Sequence, residues 1–421
     1  MDNKINVVEL FSGIGSQAKA LKNIGFKINV QKTCEWDIHA FIGYDAIHNS
    51  SSILKKYENK TKEELVKVLS KYTLSCDGKT PMLKKTLDSY SLEVLKRICS
   101  AIDRTKNMVD VSMVKGKDMP NDTDILTYSF PCQDLSNVGA FHGYKKGIDP
   151  DSGSRSSLLW QVGRILTEMK KSAINMPKYL VMENVPTLLS SRHKPNFDKW
   201  IKLLEDLGYL SKAIPLNARW FGIPQNRPRL LMISIYVGND EIKKQKVNSY
   251  LENLDAEKII NDYKNSKYYK DIKVKDLLRQ PLTEGDKYWM EALECTPNDT
   301  ISRRKIWNEN PKIVDESGKI TREDFIRTIT TKQDRHPNSG NIYFDTHIKG
   351  RSKFHYLTPR ECMLFMGFTD KDFENIIDNN PYQRKSTKLF PRDKIIRMAG
   401  NSIPVKLLEG FFYQLYTLEK Y

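Results

Sequence analysis

Val7-Val8-Glu9-Leu10-Phe11-Ser12-Gly13-Ile14-Gly15-Ser16 is the stretch whose reading decides the fold. Residues 7–11 form a short β-like apolar run, and residues 18–24 follow with the apolar spacing of a helix that Gly25 can stop. Glycines between a strand and a helix let backbone approach a ligand closely, and the helix start offers free N–H groups. Ile28-Asn29-Val30 leads into a second strand-like stretch that ends at Cys34-Glu35-Trp36. Strand, glycine turn, helix, strand and acid, in that order, open a dinucleotide-type α/β fold, whose acid meets ribose hydroxyls about 20 residues beyond the glycines. Glu35 stands at that place, although the third glycine of G-x-G-x-x-G is replaced by Ala18. Taken alone, the loop fits either an adenosine-bearing cofactor or an ordinary tight turn.

Outward from this opening, residues 124–130, 179–182 and 230–235 read as further strands, and residues 158–169 and 197–207 have helical periodicity. Strands alternating with helices imply an α/β, Rossmann-like domain with a mostly parallel sheet covered on both faces. Residues 50–110 are lysine-rich and read as helices with connecting loops that carry no evident chemistry. Past residue 238 the texture turns polar and irregular. The expected division is a first domain at 1–238, a small irregular domain at 239–345, a connecting segment at 346–394, and a C-terminal segment at 395–421 that rejoins the first domain. Thr358 is expected to cap a short helix with Pro359 at its first position.

The 421 residues carry 68 Lys+Arg against 52 Asp+Glu, a net charge of +16, which favours a polyanionic partner without naming one. No apolar run reaches the roughly 18 residues of a membrane span. The start Met1-Asp2-Asn3-Lys4 lacks the features of a secretion signal, so a cytoplasmic protein without membrane contact is expected. The six cysteines form no Cys-x-x-Cys pair and suit neither a disulfide framework nor a metal site.

One of those cysteines is placed differently from the rest. Phe130-Pro131-Cys132-Gln133 follows a strand, where open α/β sheets place active sites, so Cys132 is either an activated nucleophile or a buried core thiol. Gly139, Gly143, Gly147 and Gly153 punctuate the polar stretch behind it, as in a mobile lid. Met182-Glu183-Asn184-Val185 puts an acid at the next strand end, either a proton donor or a helix-starting ion pair. In Gln225-Asn226-Arg227-Pro228-Arg229, alternate arginines on an extended segment point the same way. They either converge on one site or form a solvated basic hairpin.

Together with Gly400-Asn401-Ser402-Ile403-Pro404, these five stretches resemble, in order, the motifs of the cytosine carbon-5 DNA methyltransferases, the bacterial type II modification enzymes especially. The resemblance spans nearly the whole chain. It implies that Cys132 attacks cytosine carbon 6, that Glu183 holds ring nitrogen 3 and the exocyclic amine, and that Arg229 contacts the carbonyl oxygen while Arg227 supports the loop and the cysteine. It implies S-adenosylmethionine as methyl donor, with S-adenosylhomocysteine as product and no metal. Phe11, Gly13, Ile14, Gly15 and Pro131 would surround the donor, Glu35 would bind its ribose and Trp36 would pack on its adenine. Asp110 and Val111 would lie at the adenine, beyond residues 50–109, an insertion that exceeds the compact family pattern, and Asn401, Ser402 and Ile403 would close the site. Residues 134–157 would close over a base flipped out of double-stranded DNA, with Lys145, Lys146 and Arg155 meeting phosphates.

Residues 239–345 would read the target sequence, with Arg303, Arg304 and Lys305 as basic candidates or as a solvated charge run, propped by Arg327-Thr328-Ile329-Thr330-Thr331. The expected protein is a monomer that shares its site with a restriction endonuclease, if one accompanies it, without a stable complex. Three rivals remain: a transfer RNA cytosine-5 methyltransferase, which the long segment between Ile235 and Thr328 disfavours; a silent DNA-binding relative, disfavoured by the intact catalytic set; and a nicotinamide or flavin oxidoreductase, which leaves that set unexplained.

Overall fold

The computed structural model describes residues 4–49, 51–132, 134–135, 147–149, 155–280, 282–334 and 337–418. The chain forms two compact units. One contains Met1–Leu216, Pro228–Tyr268 and Leu408–Tyr421; the other contains Asn217–Arg227 and Tyr269–Leu407.

In the first unit, β1 (Ile5–Leu10) buries Val7, Val8 and Leu10 completely and pairs in parallel with β2 (Ile28–Cys34). β3 (Ile125–Tyr128) lies parallel on the other side of β1, and β4 (Tyr179–Asn184) lies parallel beside β3, with Leu126 opposite Leu180. β5 (Tyr209–Asn217) precedes β7 (Pro228–Tyr236), which runs antiparallel to β4, and the two-residue β6 (Gln225–Asn226) between them belongs to the second unit. The six-stranded sheet has the order β2-β1-β3-β4-β7-β5. The chain therefore steps outward from β1 to β2 and returns to the opposite side of β1 at β3. Where strand order reverses in this way, a crevice opens at the carboxyl ends of the two central strands.

Helices Ser16–Asn23, Ile38–His48, Leu159–Lys171 and Lys194–Asp206 fall between the strands. The main core joins Leu10, Tyr128, Leu166, Leu180, Trp200 and Met232 in one cluster. Edge strand β5 lies outside the expected strands because its sequence lacks a clean alternation and carries Pro215, which an edge tolerates.

The lysine-rich segment folds as expected into helices, among them Lys62–Leu69, closed by a Thr61/Glu64 capping box, and Leu92–Arg104. Leu92–Arg104 buries Val94, Leu95, Ile98 and Ile102, one apolar stripe at helical spacing. No described helix is long and apolar enough to cross a membrane.

The second unit holds the three-stranded sheet of β8 (Lys312–Val314), β10 (Asn341–Tyr343) and β11 (Phe354–Tyr356), and β9 (Ile326–Arg327), which pairs with β6. Thr358 caps Pro359–Phe365 through a capping box with Glu361.

The divisions differ from those expected. Residues 239–268 fold with the first unit, because helices Glu241–Glu252 and Ala256–Lys264 bury Val247, Tyr250, Leu251, Ile259 and Tyr263 despite their polar composition. Residues 346–394 are an integral part of the second unit. The return to the first unit begins at Leu408, because helix Arg392–Asn401 belongs to the second.

Candidate active site

The β1 exit is built for close backbone packing. Phe11, Gly13 and Gly15 all have positive φ (56°, 53° and 81°). A Cβ on Gly15 would stand 2.3 Å from His48 Nε2 and 2.6 Å from the Tyr44 ring, so only glycine fits there. Gly13 has open space where its Cβ would be, and its N–H donates to Glu35 Oε2 at 3.1 Å. The Ile14 side chain is 2% exposed. It belongs to the core.

Glu35 and Trp36 leave the end of β2 half-buried. Glu35 Oε1 accepts from the Asp37 N–H at 2.9 Å. Desolvation, reinforced by the Asp37 charge, lifts the Glu35 carboxyl from 4.5 to about 7, although the amide hydrogen bonds oppose the rise. The half-buried Asp110 accepts from the Ser112 N–H at 2.9 Å and from its hydroxyl at 2.7 Å. Burial first, and then the charges of Glu35 and Asp110, push the Cys34 thiol upward, which places the two carboxylates around the same strand end. Val111 is buried in the core cluster, so its side chain is a packing group.

Cys132 follows β3 and packs, partly buried, against the core. Pro131 before it accepts from the Ser156 hydroxyl at 2.6 Å, and Asn184 Nδ2 donates to the Phe130 carbonyl at 3.0 Å, tying the β3 exit to the end of β4. The residue before Asn184 is Glu183, which pairs across to Leu231 on β7. Arg229, two positions from Leu231 on the same face, reaches it diagonally, Nε to Oε1 at 2.8 Å, with both side chains 12% exposed. The β3 exit thus brings a thiol beside the strand that presents a carboxylate already oriented by a guanidinium. Gln133 of the cysteine motif and, of the lid expected over this place, Gly139, Gly143, Gly153, Lys145 and Lys146 lie outside the described residues. Gly147 has φ +67°, and Arg155 starts a short 3-10 turn.

The two arginines of the Gln225 motif part company. In the second unit, Arg227 is 2% exposed and donates to the carbonyls of Ile329 (2.7 Å), Gly400 (2.6 Å) and Ser402 (3.0 Å). This guanidinium braces backbone, whereas Arg229 is held on a carboxylate. Gln225 is fully buried, accepts the Ile329 N–H at 3.0 Å and donates to the Phe365 carbonyl at 2.9 Å. Gly400 lies so close to the 328–331 stretch that a Cβ there would stand 2.7 Å from the Thr330 carbonyl and the Thr331 nitrogen. Asn401 is exposed, whereas Ser402 and Ile403 are buried, with the Ser402 hydroxyl on the Met398 carbonyl at 2.8 Å. In the basic run, Arg304 is ion-paired to Asp299 at 2.6 Å.

Two groups at the first unit's site fall outside the sequence expectations. Glu9 is fully buried in β1, accepts from the Tyr44 hydroxyl (2.5 Å) and the Ala18 N–H (3.0 Å), and is lifted by burial to about 7. An acid inside an apolar strand run was the available signal. Asn107 hydrogen-bonds the Glu35 main chain; it has no sequence signal, being one asparagine in a polar loop.

Residues 72–417 match the model of the C-5 cytosine-specific DNA methylases. The chain is 32% identical to the type II methyltransferase M2.ScrFI of Lactococcus lactis subsp. cremoris, covering 98% of this chain and 99% of that protein. It is 30% identical to the orphan methyltransferase M.SssI of Spiroplasma monobiae, covering 97% and 96%. The fold is that of the Schizosaccharomyces pombe methyltransferase Dnmt2, with a TM-score of 0.59 at 15% identity and all of both chains covered. An Escherichia coli prophage DNA modification methyltransferase shares it, with a TM-score of 0.53 at 17% identity over 99% and 100% of the two chains. The chain belongs to the C-5 cytosine-specific DNA methylases and is a DNA (cytosine-5-)-methyltransferase of the bacterial type II kind.

Proposed function

We propose that this protein methylates carbon 5 of a cytosine flipped out of duplex DNA at a specific short site, through a transient bond between Cys132 Sγ and carbon 6. The observation that carries this reading is the Glu183–Arg229 pair, 2.8 Å apart and largely buried beside the β3 exit that bears Cys132. Carbon 5 of cytosine is a poor nucleophile. Addition of the Cys132 thiolate to carbon 6 pushes an electron pair onto carbon 5, making it an enamine carbon able to take a methyl group. Glu183 holds ring nitrogen 3 and the amine as the ring charge changes. Arg229 keeps that carboxyl in place and faces the carbonyl oxygen. Removal of the carbon-5 proton by a base and expulsion of the thiolate then restore the aromatic ring.

S-adenosylmethionine, when bound, supplies a methyl group activated by a sulfonium. The residues at β1 and β2 fit it: an open approach over Gly13, a Glu35 carboxyl for the ribose diol, and a half-buried indole, Trp36, for the adenine. Asp110 adds a second acceptor near the same strand end. Arg227 serves as a positioning residue of the second unit.

Incubation with the donor and a duplex containing 5-fluorocytosine tests the mechanism, because fluorine cannot leave as a proton. A covalent protein–DNA adduct that disappears in Cys132→Ser is expected, with DNA binding retained in the variant. Wild-type turnover by Cys132→Ser, or no adduct under turnover conditions, overturns the proposal.

A further inference from the structure

The segment between the first helix after β2 and Asp110 grips the backbone of the residues that face the donor. Asn107, 4% exposed, donates from Nδ2 to the Glu35 carbonyl at 2.9 Å. Its Oδ1 accepts the N–H groups of Glu35 (3.0 Å) and Val109 (2.9 Å). Ser75, fully buried, donates its N–H to the Trp36 carbonyl at 2.8 Å, and its own carbonyl accepts the Ile38 N–H at 2.9 Å.

Ser75 is itself locked. Its hydroxyl donates to the Thr80 carbonyl (2.7 Å) and accepts the Gly78 N–H (3.0 Å), while the Asp77 carboxylate accepts the N–H groups of Lys79 (2.7 Å) and Thr80 (2.9 Å). Four main-chain groups from Glu35 to Ile38 are therefore held by two residues of the lysine-rich insertion. β2 is an edge strand of the six-stranded sheet, and the main chain of the returning segment pairs with it at its carboxyl end, where the Met108 N–H meets the Thr33 carbonyl at 2.8 Å. The insertion thus buttresses the one end of β2 that carries Glu35 and Trp36.

We infer that the 50–109 insertion is part of the methyl-donor site, with Asn107 and Ser75 as positioning residues that hold Glu35 and Trp36 for the adenosine half of the donor. The inference rests on the reading above that adenosine binds at those two residues. A carboxyl and an indole at a strand exit recognise a ribose and a purine only if their backbone is held to within a fraction of an ångström, which partners behind the contacting residues provide.

Calorimetric titration of the full-length protein with S-adenosylhomocysteine tests this. Asn107→Ala is expected to raise Kd about tenfold, and Ser75→Ala, which keeps the main-chain bonds but unlocks the loop, about threefold. Asn107→Asp, which turns a second acceptor onto the Glu35 carbonyl in place of the donor, should bind at least as weakly as Asn107→Ala. The loss should appear in KM for the donor and not in kcat or in KM for DNA, and amide exchange at Glu35 and Trp36 should quicken. Glu35→Ala is the reference. If it leaves Kd unchanged, the adenosine reading itself is wrong. If it weakens binding while Asn107→Ala and Ser75→Ala bind like the wild type, the insertion's role alone is refuted. An equal loss in kcat and in DNA binding would mark general disruption and refute it too. Should Asn107→Ala not fold, Asn107→Asp and Ser75→Ala decide.

Discussion

Acidification should weaken donor-site binding through one carboxyl, Glu35. Burial and the neighbouring Asp37 charge place its pKa at about 7. Both oxygens already accept amide hydrogens, from Gly13 and Asp37. A ribose diol offers two more donors, so the ionised carboxylate is the binding form and occupancy pulls its pKa down. Protonation must then be reversed before binding. For a free-state value near 7 the apparent Kd grows as one plus the ratio of proton concentration to the acid constant. Between pH 8 and pH 6 that is about a tenfold loss, or roughly 1.4 kcal/mol.

Calorimetry with S-adenosylhomocysteine across this range reads the effect twice, as the change in Kd and as release of about half a proton per binding event at pH 7, obtained from buffers of different ionisation enthalpy. Glu35→Gln keeps the shape and cannot ionise, so it should bind weakly and with a flat profile. A wild-type Kd that stays constant from pH 8 to 6 would refute the reasoning. So would a slope that persists in Glu35→Gln, since it would belong to another group.

Three further outcomes follow from the packing. Glu9, fully buried and lifted to about 7 by desolvation, favours the folded state when protonated. The stability it contributes is therefore complete below about 4.5 and lost as pH rises to 7, so Glu9→Gln should gain about 2 kcal/mol in urea unfolding at pH 8 and much less at pH 5; an equal gain at both would contradict this. Gly400→Ala drives a Cβ into the Thr330–Thr331 peptide at 2.7 Å and should cost about 1–3 kcal/mol, checked by the shift in urea midpoint. Arg227→Met leaves three carbonyls without their donor and should cost about 3 kcal/mol. Arg227→Lys should rescue little of that loss, because an ammonium cannot span the fork, and full rescue would argue against the bracing role.

What the sequence makes legible here is what a few adjacent residues decide among themselves. The glycines at 13 and 15 read as a tight turn because positive φ is a local demand, and the structure gives both of them positive φ. The alternation of strands and helices reads correctly for the same reason, and so does the Thr358 cap, whose partner Glu361 is three residues on. Legibility fails where a residue's meaning is set by a distant partner. Arg227 and Arg229 look equivalent on an extended segment, yet one meets carbonyls at Ile329, Gly400 and Ser402 while the other meets Glu183. The domain boundary fails differently. Two helices with sparse apolar residues, Glu241–Glu252 and Ala256–Lys264, look like the polar segment that follows them, although Tyr263 and Tyr250 bury against the C-terminal return at Glu409 and Gln414. Asn107 is the extreme case, since its bond to Glu35 spans 72 positions and leaves no periodicity at either end. A motif therefore locates the groups gathered at a strand exit, because their spacing obeys local geometry. The residues that hold those groups still are free to come from anywhere in the chain, and only the folded contacts reveal them.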